Sequence, residues 1–335
     1  MIIDSFLFFQ ELDLLEIRLE YLYEIVDKFI IVEAGQSFKG NSKDYNFENN
    51  IKRYSKYLDK IYYYKIPDKH TEIRELLNYI KNSKNKELNK IYDFIKSHNH
   101  YDKNNLSHIL DTYHRECIHI ALEANCKIKD TVIISDLDEI PKFNVVNNLR
   151  YKSLIKPVVL IQKEFQFYFN NYSNNFWNGS IIAPYKYIKN KSLNKMRLDS
   201  KKFKCIEKAG YHFTSLGNLN CIKNKIENYA HQEYNNSFVK NKIEKNILHG
   251  KDIFFRFGRK DNICIKNNKN NFIDAKLFEI LSKYKSYFLK NSVSSKVYDI
   301  KYIIYQIIFN LYRVFINPQK VYLKFYKFLN KNDPS

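Results

Sequence analysis

Residues 2–34, IIDSFLFFQELDLLEIRLEYLYEIVDKFIIVEA, decide the fold class of this chain. Residues 2–9 are apolar and aromatic and predict a strand, and KFIIVEA at Lys28–Ala34 predicts a second strand. Between them, residues 11–26 carry leucines near helical spacing, which predicts a helix. A strand, a helix and a second strand form a β-α-β unit, which favours a parallel sheet with a right-handed crossover.

A second run, TVIISDLDEIP at residues 131–141, places acidic residues directly after a buried strand. Its β-branched start is typical of a strand in a parallel sheet. Asp136 and Asp138 then follow at the carboxyl edge of the sheet, where open α/β sheets bind ligands. Two carboxylates suit Mg²⁺ or Mn²⁺, and either ion can bridge a diphosphate. An Asp-x-Asp pair is also common, so a solvated or helix-capping role fits these acids equally well.

The α/β pattern continues to about residue 258. Further strands are predicted at 61–66, 158–161, 164–170, 179–183 and 209–214, and helices at 107–124 and 222–233. After about Arg259 the composition shifts to Lys, Asn, Tyr and Ile. Residues 298–329 predict one or two aromatic, basic helices interrupted at Pro318. We therefore expect a domain at 1–258 and a basic helical C-terminal extension at 259–335.

Composition limits the class of protein. Hydrophobic residues make up 44 % and aromatics 16 % of the 335 residues, which excludes an intrinsically disordered chain. Only 7 glycines argue against a Gly-rich phosphate loop, and 5 cysteines without a paired spacing fit free thiols in a reducing compartment. The first residues lack the basic segment of a signal peptide, and no apolar run reaches membrane-spanning length. We therefore expect a cytoplasmic location.

The formal charge of +20 suggests an anionic partner, which could be nucleic acid, acidic lipid or a nucleotide-linked substrate. One hypothesis is a nucleic-acid-binding protein, because 28 Tyr and 25 Phe accompany the cations. No zinc-finger, KH or RNP1 pattern supports that hypothesis, and Lys and Tyr are spread along the whole chain. Another hypothesis is a phosphotransfer enzyme with an aspartyl nucleophile. Such an enzyme usually carries that acid after its first strand, whereas DLDE begins at Asp136.

Several motifs in order along the chain resemble one family. They are the opening residues 1–40, IISDLDEIP at 133–141, YHRECI at 113–118, GYHFTS at 210–215, YAHQEY at 229–234 and GKD at 250–252. They are similar to segments of glycosyltransferase family 17, the β-1,4-mannosyl-glycoprotein β-1,4-N-acetylglucosaminyltransferase family. Glu116 stands where that family has Asn, and Tyr211 replaces a Trp. The resemblance covers about residues 1–258 and does not extend to 259–335.

The resemblance implies a GT-A fold, which is a Rossmann-like nucleotide-binding sheet flanked by helices. It also implies a metal-dependent inverting glycosyltransferase that moves GlcNAc or a related hexose from a UDP-sugar to a glycan or lipid-linked glycan acceptor. The metal, Mn²⁺ or Mg²⁺, would be held by Asp136, Asp138 and His212. A nucleotide-sugar donor would contact Glu33, Arg115, Asp136 and Lys251. From the residues alone, each of these side chains equally fits a structural or surface role.

An inverting transfer needs a general base for the acceptor hydroxyl, and a carboxylate is the usual group. The candidates are Glu164, Glu233 and Asp252, and we favour Glu233. Trp177 fits either a sugar-stacking platform or the core.

The last stretch, residues 281–335, has ten basic residues against two acidic ones, interleaved with apolar side chains. Such a helix fits a peripheral position on the anionic inner face of a membrane, or packing on the catalytic domain.

Overall fold

The computed structural model describes residues 1–152, 154–217, 219–228, 232–265 and 272–316. The strands are β1 (Ile2–Phe8), β2 (Lys28–Ala34), β3 (Ile61–Ile66), β4 (Thr131–Asp136), β5 (Glu139–Pro141), β6 (Val158–Gln166), β7 (Asn171–Pro184), β8 (Lys204–Thr214) and β9 (Ile263–Cys264). The helices before residue 130 are α1 (Leu12–Leu22), α2 (Asn46–Asn49), α3 (Ile73–Lys81), α4 (Lys86–Ser97), α5 (Leu106–Glu116) and α6 (Ile118–Asn125). The later helices are α7 (Phe143–Arg150), α8 (Tyr185–Ile188), α9 (Leu193–Leu198), α10 (Leu219–Asn228), α11 (Ser237–Lys240), α12 (Ile243–Leu248), α13 (Ala275–Ser282) and α14 (Lys296–Ile316). Turns of 3₁₀ helix lie at Ile51–Lys60, Ser200–Lys202, Gln232–Tyr234 and Lys285–Tyr287.

The described strands form one curled sheet in the order β3-β2-β1-β4-β7-β6-β8-β5, and β9 pairs with β7. Strands β3, β2, β1 and β4 are parallel, whereas β7 runs antiparallel to both β4 and β6. Only Leu137 and Asp138 separate β4 from β5, although three strands lie between these two in the order. The sheet therefore curls back on itself and brings the turn after β4 against β8.

Helices cover both faces of this sheet. On β1 and β2, Phe6 and Phe29 face a core that includes α1, α7 and α13, whereas Ile3 and Ile30 face a core that includes α3 to α6. A strand that is buried on both faces needs apolar residues at successive positions. This requirement explains the nearly continuous apolar runs in the first two strands.

The predicted opening β-α-β unit is confirmed, since β1 and β2 flank α1 and pair in parallel. The helix predicted at 107–124 is two helices, because the chain breaks at Cys117. The strand predicted at 164–170 ends at Gln166, because Phe167 takes a left-handed φ of 67° that an extended strand does not contain. The helix predicted at 222–233 runs over α10 instead, and residues 229–231 lie outside the described residues.

Residues after 259 contribute to the same body as far as α13. β9 pairs with β7, and Leu277 and Leu281 of α13 are buried in the core beside α1. Residues 317–329 of the predicted helical segment, including Pro318, lie outside the described residues. The domain boundary at residue 258 stays a prediction. No helix in the described part of the chain is long and apolar enough to cross a membrane.

One buried arginine joins the first helix to the turn after β4. The Arg18 side chain on α1 is fully buried and pairs with Asp4 of β1, with Nη2–Oδ1 at 2.7 Å and Nε–Oδ2 at 2.9 Å. Its Nη1 donates to the carbonyl oxygens of Asp136, Leu137 and Glu139 at 2.9 to 3.0 Å. A buried guanidinium is tolerated only when its donors and charge are compensated, and here they are.

Replacing Arg18 with Met should strongly destabilise the protein, because it leaves the Asp4 carboxylate buried and unpaired. We expect the free energy of unfolding in urea to fall by about 3–5 kcal/mol. Adding Asp4→Asn to Arg18→Met should recover part of the loss, because the uncompensated charge is then gone.

The matched control is Arg53→Met. Arg53 also pairs with two carboxylates, Asp13 and Glu16, but its side chain is 31 % exposed, so we expect a loss below about 1 kcal/mol. Equal losses for the two arginine variants would contradict a special role for the buried one.

Candidate active site

A cavity of about 370 Å³ opens where β1, β2 and β4 end. One wall is apolar and includes Leu7, Val32 and Phe38, which follow or end the parallel strands. The rest of the lining includes ionisable side chains from six elements or turns: Asp136, Asp138, Arg115, Arg197, His212 and Lys225. A concave site with an apolar side and a few converging polar groups is typical of small-molecule binding.

Asp136 is the last residue of β4 and lies between two guanidinium groups. Its Oδ1 accepts from Arg115 Nη1 of α5 at 2.6 Å, and its Oδ2 accepts from Arg197 Nη2 of α9 at 2.6 Å. Burial alone would raise the pKa of Asp136, but the two arginines hold it well below its usual range. Both carboxylate oxygens are thus bound by arginine, which differs from the metal-ligand role expected from the sequence.

Glu116 positions the helix that carries Arg197. Its carboxylate is fully buried and accepts from Ser192 Oγ and from the backbone N–H groups of Leu193 and Asn194, which begin α9. Burial raises the pKa of Glu116 to about 7, although these three hydrogen bonds oppose that shift. The residue that departs from the family pattern therefore caps a helix rather than facing the cavity.

Asp138, His212 and Lys225 meet at the other end of the charged wall. Asp138 Oδ1 lies 3.6 Å from His212 Nε2, and Asp138 Oδ2 lies 3.4 Å from Lys225 Nζ. Burial lowers the pKa of His212, although Asp138 partly opposes it, so the imidazole is neutral and can offer a lone pair. No cluster of three or more His, Cys, Asp or Glu side chains that could hold a metal occurs among the described residues.

Glu139 and Trp177 support this turn from behind. Trp177 Nε1 donates to Glu139 Oε1 at 2.6 Å, and the backbone N–H of Asp136 donates to Oε2 of the same carboxylate at 3.2 Å. Burial raises the pKa of Glu139 to about 7. The indole ring lies 4.9 Å from the His212 ring, between centroids. Trp177 is therefore a wall residue that also fixes the acidic turn.

A second, smaller cavity of about 180 Å³ adjoins the first. The two share wall residues Trp177, His212, Thr214 and Lys225, so they lie side by side, and the two together are called the cleft. Glu164 and Asp252, two of the predicted general bases, line the second cavity.

These two acids are held differently. Glu164 accepts from Gln166 Nε2 at 2.6 Å, and Arg259 Nη1 lies 3.3 Å away. Burial alone would raise the pKa of Glu164, but His212 and Arg259 lower it below its usual value. Asp252 is bound more tightly, because Arg256 contacts its carboxylate through both the side chain and the backbone N–H. Of the two, Glu164 is the less constrained acid.

Glu33 does not line either cavity, although its neighbours Val32 and Ala34 and its partner Lys43 line the larger one. It is fully buried, and its carboxylate accepts from the backbone N–H groups of Asn46 and Phe47, from Tyr63 Oη and from Lys43 Nζ. Each of these partners belongs to the loop and turn after β2 or to β3. Glu33 therefore holds that loop on the sheet edge, and its predicted contact with the donor stays a prediction.

Lys251 and Glu233 also lie outside the walls of both cavities. Lys251 Nζ pairs with Asp261 at 2.6 Å and with Asp299 of α14 at 2.8 Å. Glu233 is exposed, and its carboxylate lies 3.8 Å from Arg313 Nη2 on the same helix. Both predicted site residues thus contact the C-terminal helix in this structure, rather than the cleft.

Sequence reasoning missed several residues that line or support the cleft. Glu139 had a usable signal, because it is the third acid of the DLDE turn. Arg197, Lys225 and Arg259 had none, because they are single cations on a chain with 56 lysines and arginines. Only the fold brings them to the acidic turn.

Five buried polar atoms in the wall of the larger cavity have no hydrogen-bond partner among the described residues. They are Ser37 Oγ, His114 Nε2, Arg115 Nε, Arg197 Nε and His212 Nδ1. Buried polar groups are normally paired, and leaving one unpaired costs free energy. These atoms are covered by neighbouring protein atoms, so a ligand in the cavity would reach them only after the side chains move.

Comparison with known proteins gives one family. The family model described as Glycosyltransferase family 17 matches residues 1–91 and 73–259, which together span more than half of the chain. No curated protein matches the chain.

The Glu116 carboxylate should make stability depend on pH. Its folded pKa of about 7 lies above its ordinary value of 4.5, so its ionisation opposes folding as the pH rises through 7. In Glu116→Gln this dependence is absent. We expect the unfolding free energy of the native protein to fall, relative to that of the variant, by roughly 2–3 kcal/mol between about pH 5 and about pH 8.5.

Chemical denaturation of both proteins at the two pH values measures this difference. Any constant cost of the amide cancels, because it is present at both pH values. A difference that does not change with pH would contradict the raised pKa.

Proposed function

Because the chain belongs to glycosyltransferase family 17 and is therefore a glycosyltransferase, we propose that it transfers a sugar from a UDP-sugar with inversion. The sugar would be GlcNAc or a related hexose, and the curled sheet would be a GT-A fold. The observation that carries the proposal is the pair Asp138 and His212, which lines the larger cavity together with Arg115, Arg197 and Lys225.

The apolar wall of the larger cavity suits the nucleoside. Phe38 and His114 have ring centroids 5.6 Å apart, and both line the cavity with Ser37. An aromatic ring offers a stacking surface for a base. The charged wall then suits the diphosphate.

The donor set fits a divalent cation such as Mn²⁺ or Mg²⁺. Asp138 offers a carboxylate and His212 a neutral imidazole, and Mg²⁺-type ions are usually held by one or two protein ligands together with substrate phosphates. Bound there, the ion would neutralise charge that develops on the leaving diphosphate. Asp136 is better suited to holding Arg115 and Arg197, because both of its oxygens are bound by them.

The cations of the cleft have a separate role. Lys225 is partly buried, and although burial would lower its pKa, Asp138 and Glu11 raise it, so the ammonium stays charged. Arg115 and Arg197 are fixed by Asp136, which makes their charge part of a rigid wall. Fixed positive groups aimed at a leaving anion stabilise the transition state without reorganisation.

We propose Glu164 as the general base. It lines the second cavity with Trp177 and His212, where an acceptor sugar would meet the donor. In an inverting displacement, the acceptor oxygen attacks the anomeric carbon as the diphosphate leaves from the opposite side. Glu164 would take the proton from that oxygen. Asp252 would instead hold Arg256, and Glu233 would act outside the cleft.

The donor and metal proposals are tested by hydrolysis of UDP-GlcNAc, UDP-glucose and UDP-galactose with Mn²⁺ and with EDTA. We expect one sugar to be turned over, and both EDTA and Asp138→Asn to lower that turnover about a hundredfold or more. Asp59→Asn is the matched control, since Asp59 is exposed, accepts from Tyr23 Oη and lines neither cavity.

Calorimetry of Mn²⁺ binding in the presence of UDP gives a readout that is independent of turnover. Turnover that survives both EDTA and Asp138→Asn would contradict the proposal that a metal ion is required. Failure to bind UDP or to hydrolyse any of the three sugars would contradict the donor.

The base is tested by Glu164→Gln against Glu233→Gln. Glu164→Gln should lower kcat by roughly 10²–10⁴-fold, with UDP affinity kept, because it removes the proton acceptor alone. Glu233→Gln should stay within about twofold of the native rate, because its carboxylate is exposed. A larger loss of kcat in Glu233→Gln than in Glu164→Gln would instead assign the general base to Glu233.

A further inference from the structure

The C-terminal helix α14 has one packed face and one bare face. On the packed face, Tyr302 and Phe309 are buried against Val239 and Phe255. On the other face, large apolar side chains are exposed along the whole helix, including Ile300, Ile303, Ile304, Ile307, Ile308 and Leu311. Their spacing of three and four residues makes a continuous stripe.

This stripe needs a partner. Soluble proteins rarely expose a contiguous apolar patch of several large side chains, and such patches mark interaction surfaces. Among the described residues no element covers it, and the helix is not long and apolar enough to span a bilayer. A surface of this kind that does not span can instead lie in the plane of a membrane interface.

The charges around the stripe favour an anionic partner. The only acid on α14, Asp299, pairs at 2.8 Å with Lys251, which also pairs with Asp261. Lys296 and Lys301 are exposed on the same helix. The sequence that follows, residues 317–335, carries four lysines and a single acid among aromatic and aliphatic residues. Cations beside an exposed apolar stripe complement an anionic lipid surface.

We propose that α14 is an interfacial membrane-docking helix, with its isoleucine stripe inserted at the surface of an anionic bilayer. A second copy of the chain fits the surface less well, because a parallel pairing of two stripes would bring Lys296 and Lys301 of both helices together. The proposal does not need the reaction proposed above.

The same helix is fastened to the wall of the second cavity. Tyr302 Oη donates to the carbonyl oxygen of Asp252 at 3.0 Å, and Gln306 Nε2 donates to that of Arg256 at 2.8 Å. Asp252 and Arg256 both line that cavity. Docking would therefore hold the acceptor side of the cleft near lipid. A consequence that rests on the proposed function is a lipid-linked acceptor, whose glycan would reach the cleft from the membrane surface.

The test is co-sedimentation of the full chain with vesicles of phosphatidylcholine alone, and with vesicles in which about a third of the lipid is phosphatidylglycerol. The variant Ile304→Glu/Ile307→Glu places two acids on the stripe without touching the packed face. The control is Ile51→Glu/Leu58→Glu, whose two residues have similar exposure, 41 % and 39 % against 49 % and 47 %, on the 3₁₀ helix Ile51–Lys60.

We expect the native chain and the control to bind the anionic vesicles, and the stripe variant to bind them at least about tenfold more weakly. Native binding should weaken with added salt. Hydrolysis of the donor in solution should be the same for native and stripe variant, so loss of docking is distinguishable from failure of the proposed chemistry.

Two results would overturn the proposal. One is native protein that does not sediment with either kind of vesicle. The other is a native dimer, seen by light scattering without lipid, that the stripe variant converts to a monomer; this would assign the stripe to a second copy of the chain.

Discussion

The contact between Arg18 and the turn after β4 is the constraint on which the site depends. The guanidinium is anchored to β1 through Asp4 and donates to three carbonyl oxygens of the acidic turn. The turn carries Asp136 and Asp138, whose like charges repel each other. The buried cation fixes the backbone of the turn, so each carboxylate can point to a different partner.

The two acids have different roles because they contact different partners. Asp136 is bound by Arg115 and Arg197, and thereby holds two cations in the cavity wall. Asp138 has looser neighbours, with His212 at 3.6 Å and Lys225 at 3.4 Å. Ion pairs at these longer distances cost less to rearrange than the 2.6 Å contacts do. The looser acid is therefore the better placed to change partners when a ligand enters, while the tighter one keeps the wall in place.

Local sequence patterns predicted the frame of this site and not its lining. The spacing and the length of the apolar runs predicted β1, α1, β2 and β4, because the formation of those elements depends on neighbours within a few residues. Glu33 looked like a cleft residue from its position at a strand end, but the loop after β2 folds back and uses its carboxylate. The position of Arg197 depends on Glu116, 81 residues earlier in the chain, and no local pattern contains such a pairing.

The overall charge of +20 also takes on a different meaning once the cations are located. Arg115 and Arg197 both pair with Asp136, and Lys251 pairs with Asp261 and Asp299. These cations therefore form ion pairs within the protein and are not free for an anionic partner alone. Lys296 and Lys301 on α14 are different, because they are exposed and lie on the helix that carries the apolar stripe. Since that helix hydrogen-bonds to the segment that lines the second cavity, its position and the shape of the cleft are mechanically linked. A force that fixes α14 would also fix one wall of the cleft.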